Sequence, residues 1–248
     1  MSGLRKILLM YLLFGHGACS RGPVSTHPIQ EREIPRHGAT MPVERKGAKW
    51  WVKRNRELNA LGREGTASLV LFGDSIMEGW EHMGRDSLAE SFGTYGTAVM
   101  GMGGDGTSHA LWRAKNGNFK NLRPRLVVIM IGTNDLESQS EQEIVDGITA
   151  VAQAVNAITP DSRILLLGLF PRGEDGAHHL RAPIRRVNEG VHKLADDETI
   201  YFRDFGALLL NEDGTARREI QPDHLHLSRE GYRVWAAALA PVVAELME

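Results

Sequence analysis

The chain has 248 residues, 42% of them hydrophobic and 24% charged, with a formal net charge of −2. That composition suits one globular domain with a sizeable core and argues against a nucleic-acid footprint or a basic membrane-binding face. The single cysteine, Cys19, excludes an intramolecular disulfide.

In chain order, the first predicted element is a targeting segment. Arg5-Lys6, the apolar run "ILLMYLLF" and then "GHGACS" read as a secretory signal peptide over residues 1–19. The run is shorter than the ~20 residues that cross a bilayer. Gly17-Ala18-Cys19 resembles the end of a bacterial lipobox, which makes Cys19 a candidate lipid attachment site, although His16 stands where an aliphatic residue is usual. A plain cleaved peptide with an incidental cysteine is the alternative. The expectation is export to the periplasm or cell surface, with the membrane met only through that anchor. Residues 20–46, polar and proline-dotted, are predicted to be a tether. Residues 47–248 then form the folded domain.

The segment "KWWVKRNRELNALGREG" has helical spacing through Trp51, Leu58 and Leu61, with Gly62 expected as its C-terminal cap. Strands are predicted over Ser68–Phe72, Thr97–Met100, Leu126–Ile131, Arg163–Leu169 and Thr199–Phe202. Helices are predicted over Thr107–Asn116, Glu141–Ile158, Leu180–Ala195 and Arg229–Met247. Runs such as "LVVIMI" and "ILLLGL" lack polar alternation, as strands buried on both faces of a parallel sheet do. The alternation of strand and helix predicts a three-layer α/β/α domain. Ligands of such sheets bind beyond the carboxyl ends of the strands, where Gly73-Asp74-Ser75, "GMGGDG" and "GTND" fall.

"GMGGDG" matches G-x-G-x-x-G at Gly101, Gly103 and Gly106, but it follows the second strand rather than the first, and the next strand runs into "GTND" instead of the expected acid. A dinucleotide site is therefore disfavoured. A serine hydrolase needs a nucleophile, a base, an orienter and oxyanion donors. Ser75 is the candidate nucleophile, outside any G-x-S-x-G elbow. Of ten histidines, His16, His27 and His37 lie in the signal or tether. His82 and His109 lie near the loops, His178 and His179 in a polar insertion, and His192 on a helix. His224 and His226 share "QPDHLHLSREGY". Asp223 lies three residues before His226, a spacing that lets its carboxylate reach the far ring nitrogen in a tight turn. His226 is thus favoured as base; the alternative is that Asp223 caps a turn and His226 fills a polar pocket. The Ser75 N–H, a backbone donor from the glycine loop and the Asn134 amide are candidate oxyanion donors, unless Asn134 only bridges two loops.

Together these residues resemble the SGNH (GDSL-type) hydrolase family: Ser75 in "FGDS", Gly104 in "GMGGD", Asn134 in "GTND" and His226 in "DHLH", in order, from Trp50 to the C-terminus. Within it, "GMGGDGTSHALWRAKNG", "LRPRLVVIMIGTN", "LLLGLFPRG" and "DHLHLSREGY" are most similar to the catalytic subunits of intracellular platelet-activating factor acetylhydrolase. The resemblance implies a flavodoxin-like fold with a five-stranded parallel sheet in the order 2-1-3-4-5. It implies Ser75 as nucleophile, His226 as base and Asp223 as orienter, with Ser75, Gly104 and Asn134 forming the oxyanion hole. It also places the acyl group against Ile76, Thr133 and Leu225. Asp74 belongs to the motif and is read as structural. "GTND" stands where those enzymes have "GTNN", and the signal peptide is a second departure, which turns the expected substrate toward O-acetylated glycans. The resulting expectation is an exported serine esterase of small acyl esters, free of metal and cofactor and compatible with a homodimer. A lysophospholipid or platelet-activating-factor-type esterase is the alternative, and a noncatalytic glycan-binding surface lipoprotein is the alternative from another class.

Overall fold

The computed structural model describes residues 33–248; the signal peptide, Cys19 and the first part of the tether lie outside them. Five strands, β1 (Leu69–Gly73), β2 (Thr97–Gly101), β3 (Leu126–Met130), β4 (Arg163–Leu167) and β5 (Ile200–Arg203), form one sheet in the order β2-β1-β3-β4-β5. Every pairing is parallel. Gly73 is level with Gly101 on one side and Met130 on the other. The three small-residue loops therefore leave the sheet side by side.

Among the described residues seven α-helices surround it: α1 (Lys49–Glu64), α2 (Ser75–Glu78), α3 (Arg85–Phe92), α4 (Thr107–Arg113), α5 (Glu141–Ile158), α6 (Arg181–His192) and α7 (Arg229–Met247). Alternate strand residues serve opposite layers, as the two-residue period of a strand requires. Val70, Phe72, Met100, Val127, Ile129 and Ile164 pack with α4, α5 and α6. Leu69, Leu71, Val99, Val128 and Leu165 pack with α3 and α7. Both faces of β1 and β3 are buried throughout, which is why their sequences show no alternation. This is the three-layer α/β/α fold, with helices on both sides of a parallel sheet.

Three expectations are corrected. Gly62 is buried inside α1, where an added Cβ would meet the Asn118 carbonyl, and the left-handed cap is Gly65 at φ 69°. The helix predicted to reach Asn116 stops at Arg113 and continues as a wide turn over Ala114–Asn118, with Gly117 at φ 119°. The described end of the tether is packed rather than loose. Ala39 is buried, its carbonyl accepts from Thr107 Oγ1 at 3.0 Å, and Val43 N–H donates to the Ser108 carbonyl at 3.1 Å. A small residue on the strap and Gly147 on α5 permit that approach, because a Cβ on Gly147 would lie 3.0 Å from the Ala39 carbonyl.

Candidate active site

β1 ends on Gly73, and the chain turns at Asp74 into α2, whose first residue is Ser75. The turn sits directly on the neighbouring strand: a Cβ on Gly101 would stand 1.9 Å from the Glu78 nitrogen. Asp74 is fully buried and caps the helix, its Oδ1 accepting the Ile76 N–H at 2.9 Å. Burial pushes its carboxyl up to about 7; the Ile76 hydrogen bond opposes this, and Asp105 and Asp135 add to it. The last helix buttresses the turn, with Tyr232 donating its hydroxyl to the Ile76 carbonyl at 2.6 Å. Around it Trp80 packs on Tyr232 and Trp235, with ring centroids 4.8 and 4.9 Å apart.

Ser75 Oγ lies 3.0 Å from His226 Nε2. His226 Nδ1 lies 2.7 Å from Asp223 Oδ2, and Asp223 Oδ1 accepts the N–H groups of Leu225 at 3.0 Å and His226 at 2.6 Å. Partial burial raises the Asp223 carboxyl, but the hydrogen bonds from the His226 ring and the two backbone groups outweigh it and hold it below its ordinary value. A charged carboxylate on Nδ1 fixes that nitrogen as the donor and leaves Nε2 as the acceptor facing Ser75. Both proposals for Asp223, orienter and turn cap, describe what the side chain does. The His226 side chain is 46% exposed, so the serine opens onto solvent.

The other loops meet this pair from the two flanking strands. Gly104 follows β2 at φ 69°, in the left-handed region that favours glycine. Asn134 follows β3 in a single 3-10 turn, Thr133–Asp135, and its Nδ2 donates to the Asp105 carbonyl at 2.9 Å. It thus bridges two loops and keeps a second amide N–H for another acceptor. Ile76 and Thr133 are buried and Leu225 is half-buried. Two other histidines near the sheet are engaged elsewhere: His109 Nδ1 accepts the Gly106 N–H at 3.1 Å, and His192 stacks on Phe202 at 5.1 Å. Among the described residues no three His, Cys, Asp or Glu side chains converge as metal ligands.

Asp105 and Arg113 were not singled out from the sequence. Both are completely buried, and Arg113 Nε donates to Asp105 Oδ2 at 2.7 Å. The same guanidinium donates to the Met100 carbonyl at 3.1 Å, to Asn118 Oδ1 at 2.8 Å and to the Gly73 carbonyl at 2.9 Å. Asp105 Oδ1 accepts from Trp51 Nε1 at 2.7 Å, while the Asp105 carbonyl holds Asn134. One ion pair therefore ties the ends of β1 and β2 to the loop after β3. The signal available was an arginine at a helix position flanked by Ala110, Leu111 and Ala114, all core residues. Asp135 acts similarly at the next loop: its Oδ2 accepts the Thr107 N–H at 2.8 Å at the start of α4.

A serine on a histidine on a carboxylate, at the carboxyl edge of a 2-1-3-4-5 sheet, is a geometry for acyl transfer, and similarity to known proteins agrees. The sequence pattern of the GDSL-like Lipase/Acylhydrolase family matches residues 71–234. The chain belongs to this family. Platelet-activating factor acetylhydrolase IB subunit alpha1 of Rattus norvegicus is 33% identical over 218 residues, covering 88% of this chain and 92% of that protein. Among solved structures, a GDSL-like lipase from Bacteroides thetaiotaomicron superposes with a TM-score of 0.64 at 22% identity, covering 78% of this chain and 97% of that one. A carbohydrate acetylesterase from Sinorhizobium meliloti superposes at 0.57 and 19% identity, covering 73% and 99%. As a family member, the protein is a carboxylic ester hydrolase of the GDSL (SGNH) type.

Proposed function

We propose that this acylhydrolase is a serine esterase that removes acetyl groups from O-acetylated carbohydrate through an acyl-enzyme. The observation that carries the mechanism is the unbroken chain Ser75 Oγ, His226 Nε2, His226 Nδ1, Asp223 Oδ2 at 3.0 and 2.7 Å. Ser75 Oγ attacks the ester carbonyl carbon as His226 Nε2 takes the hydroxyl proton. Charge develops on the carbonyl oxygen, which in this reading the N–H groups of Ser75 and Gly104 and the second N–H of Asn134 hold. Collapse expels the alcohol, which leaves with the proton from His226. Water, deprotonated by the same nitrogen, then attacks the acetyl-enzyme and frees acetate and Ser75.

Supporting an acetyl preference are the buried Ile76 and Thr133 beside the nucleophile and oxyanion residues. The carbohydrate reading draws on the acetylesterase named among the structural neighbours and on the export expected from the signal segment of residues 1–19. The name of the rat relative supports the second reading, a phospholipid acetyl ester as substrate. Acetate release from acetylated xylo-oligosaccharides, set beside release from an acetyl-glycerophospholipid, decides between them. A kcat/KM higher on the lipid overturns the carbohydrate reading, and turnover surviving in Ser75→Ala overturns the mechanism.

A further inference from the structure

We propose that Arg45 is a substrate-binding residue that reads a negative charge on the alcohol side of the ester. The proposal rests on the serine-esterase reading above and not on which glycan is the natural substrate.

Arg45 lies on the strap that precedes α1, in the segment expected to be a tether. Its guanidinium stands over Gly104: a Cβ built on that glycine would lie 3.2 Å from Nη1 and 3.8 Å from Nη2. Gly104 is the residue whose N–H faces the developing oxyanion in the mechanism, so Arg45 borders the reacting centre. The backbone holds it there from both sides. Val43 N–H donates to the Ser108 carbonyl at 3.1 Å, and Ala48 N–H donates to the Arg45 carbonyl at 3.0 Å.

The charge of Arg45 is only partly met inside the protein, by a long contact with Asp105 and by the Trp50 ring beneath it. Nη1 is buried yet has no hydrogen-bond partner. The nearest carboxylate oxygen, Asp105 Oδ1, is 4.0 Å away and already accepts from Trp51 at 2.7 Å, while Asp105 Oδ2 is taken by Arg113. The neighbouring Arg54 differs, because its Nη2 donates directly to Glu81 Oε2. Burying a donor without a partner is costly, and a guanidinium presents a planar fork that matches a carboxylate. The Arg45 side chain as a whole remains 32% exposed, so an incoming anion meets the accessible part of the side chain rather than the buried Nη1.

Position assigns that anion to the alcohol. Thr133 follows β3 and Gly104 follows β2, on opposite sides of the β1 strand that carries Ser75. The alcohol oxygen must stay within reach of His226 Nε2, and with the acyl group seated toward Thr133 the rest of the alcohol extends to the other side of β1, where Arg45 stands beside Gly104. Trp50 lies there too, 54% exposed, its ring centroid 5.8 Å from Arg45 Cζ. An exposed indole beside a guanidinium that lacks a full set of partners suits an acidic sugar, with its ring against the indole and its carboxylate on the arginine.

The test uses two small esters that share a leaving-group frame, 4-acetoxybenzoate and its neutral methyl ester. The readout is the ratio of their kcat/KM values, anionic over neutral. The wild type should favour the anionic ester, and Arg45→Met should lower the ratio by about tenfold or more, as loss of a charge-assisted hydrogen bond does. Arg45→Lys should retain part of it, since the charge remains without the fork. In the wild type the ratio should also fall as salt rises, a measurement that does not depend on any variant folding. An equal ratio in wild type, Arg45→Met and Arg45→Lys, or a wild-type ratio indifferent to salt, overturns the proposal. A wild type that cleaves neither ester overturns the esterase reading itself, which is a different result.

Discussion

Replacing Arg113 by methionine removes the buried guanidinium while keeping much of its apolar stem. The loss comprises hydrogen bonds to Asp105, Asn118 and the Gly73 and Met100 carbonyls, all made by a side chain with no solvent exposure. The Asp105 carboxylate is left buried with Trp51 as its only hydrogen-bond donor. Removing one partner of a buried ion pair costs about 3–5 kcal/mol, mostly the penalty of stranding the other charge. For a domain of this size that corresponds to a melting temperature lower by roughly 6–20 °C. Urea unfolding followed by tryptophan fluorescence measures it, since Trp51, Trp80 and Trp235 are all buried. Adding Asp105→Asn to Arg113→Met should recover at least about 1 kcal/mol, because it removes the stranded charge. Because the guanidinium also holds the carbonyl of Gly73, two residues before Ser75, kcat should fall more than KM rises. An Arg113→Met protein within about 1 kcal/mol of wild type refutes the reasoning, since that is the size of an ordinary exposed change.

Asn134→Ala should lower kcat by roughly 10²–10³-fold with KM little changed, as loss of one oxyanion donor does; a rise in KM with kcat intact would make it a binding residue. For Asp74, the folded-state value of about 7 lies above the ordinary 3.8, so its contribution to stability is present below 3.8 and is lost as pH rises through about 7. Asp74→Asn keeps an acceptor for Ile76 and cannot ionise, so its unfolding free energy from urea titration should gain on that of wild type by a few kcal/mol, in order of magnitude, between pH 4 and 8; a constant difference across that range contradicts it. In a p-nitrophenyl series, acetate should exceed butyrate by roughly 10–200-fold in kcat/KM, because longer chains press on buried Ile76 and Thr133. A steady climb to octanoate would show an open acyl site.

The strands, the layered α/β class and the pairing of Asp223 with His226 were legible because each rests on local signals, whereas the strand order came only from the family resemblance. Apolar runs without alternation marked β1, β3 and β4, and the three-residue spacing of Asp223 and His226 already fitted one turn. Features set by contacts distant in sequence were not legible. Gly62 reads as a helix stop until the Asn118 carbonyl is found against it, whereupon its lack of a side chain is seen to serve packing. Residues 37–45 carry no period because a strap makes its contacts through single positions, such as Ala39 on Thr107. α3 escaped because "RDSLAESF" buries only Ser87 and Phe92, too few apolar positions to mark a face. The Asp105–Arg113 pair is eight residues apart across a loop and a helix, a separation with no periodic signature.

Trapping the acyl-enzyme tests the central claim most directly. The protein is quenched in acid during turnover of p-nitrophenyl acetate and its peptides are weighed by mass spectrometry. One acetyl group should be found on Ser75 in the wild type, and none in Ser75→Ala, which should also fail to turn over the ester. Sustained hydrolysis by Ser75→Ala, or an acetyl group on another residue while Ser75 stays bare, would contradict the account.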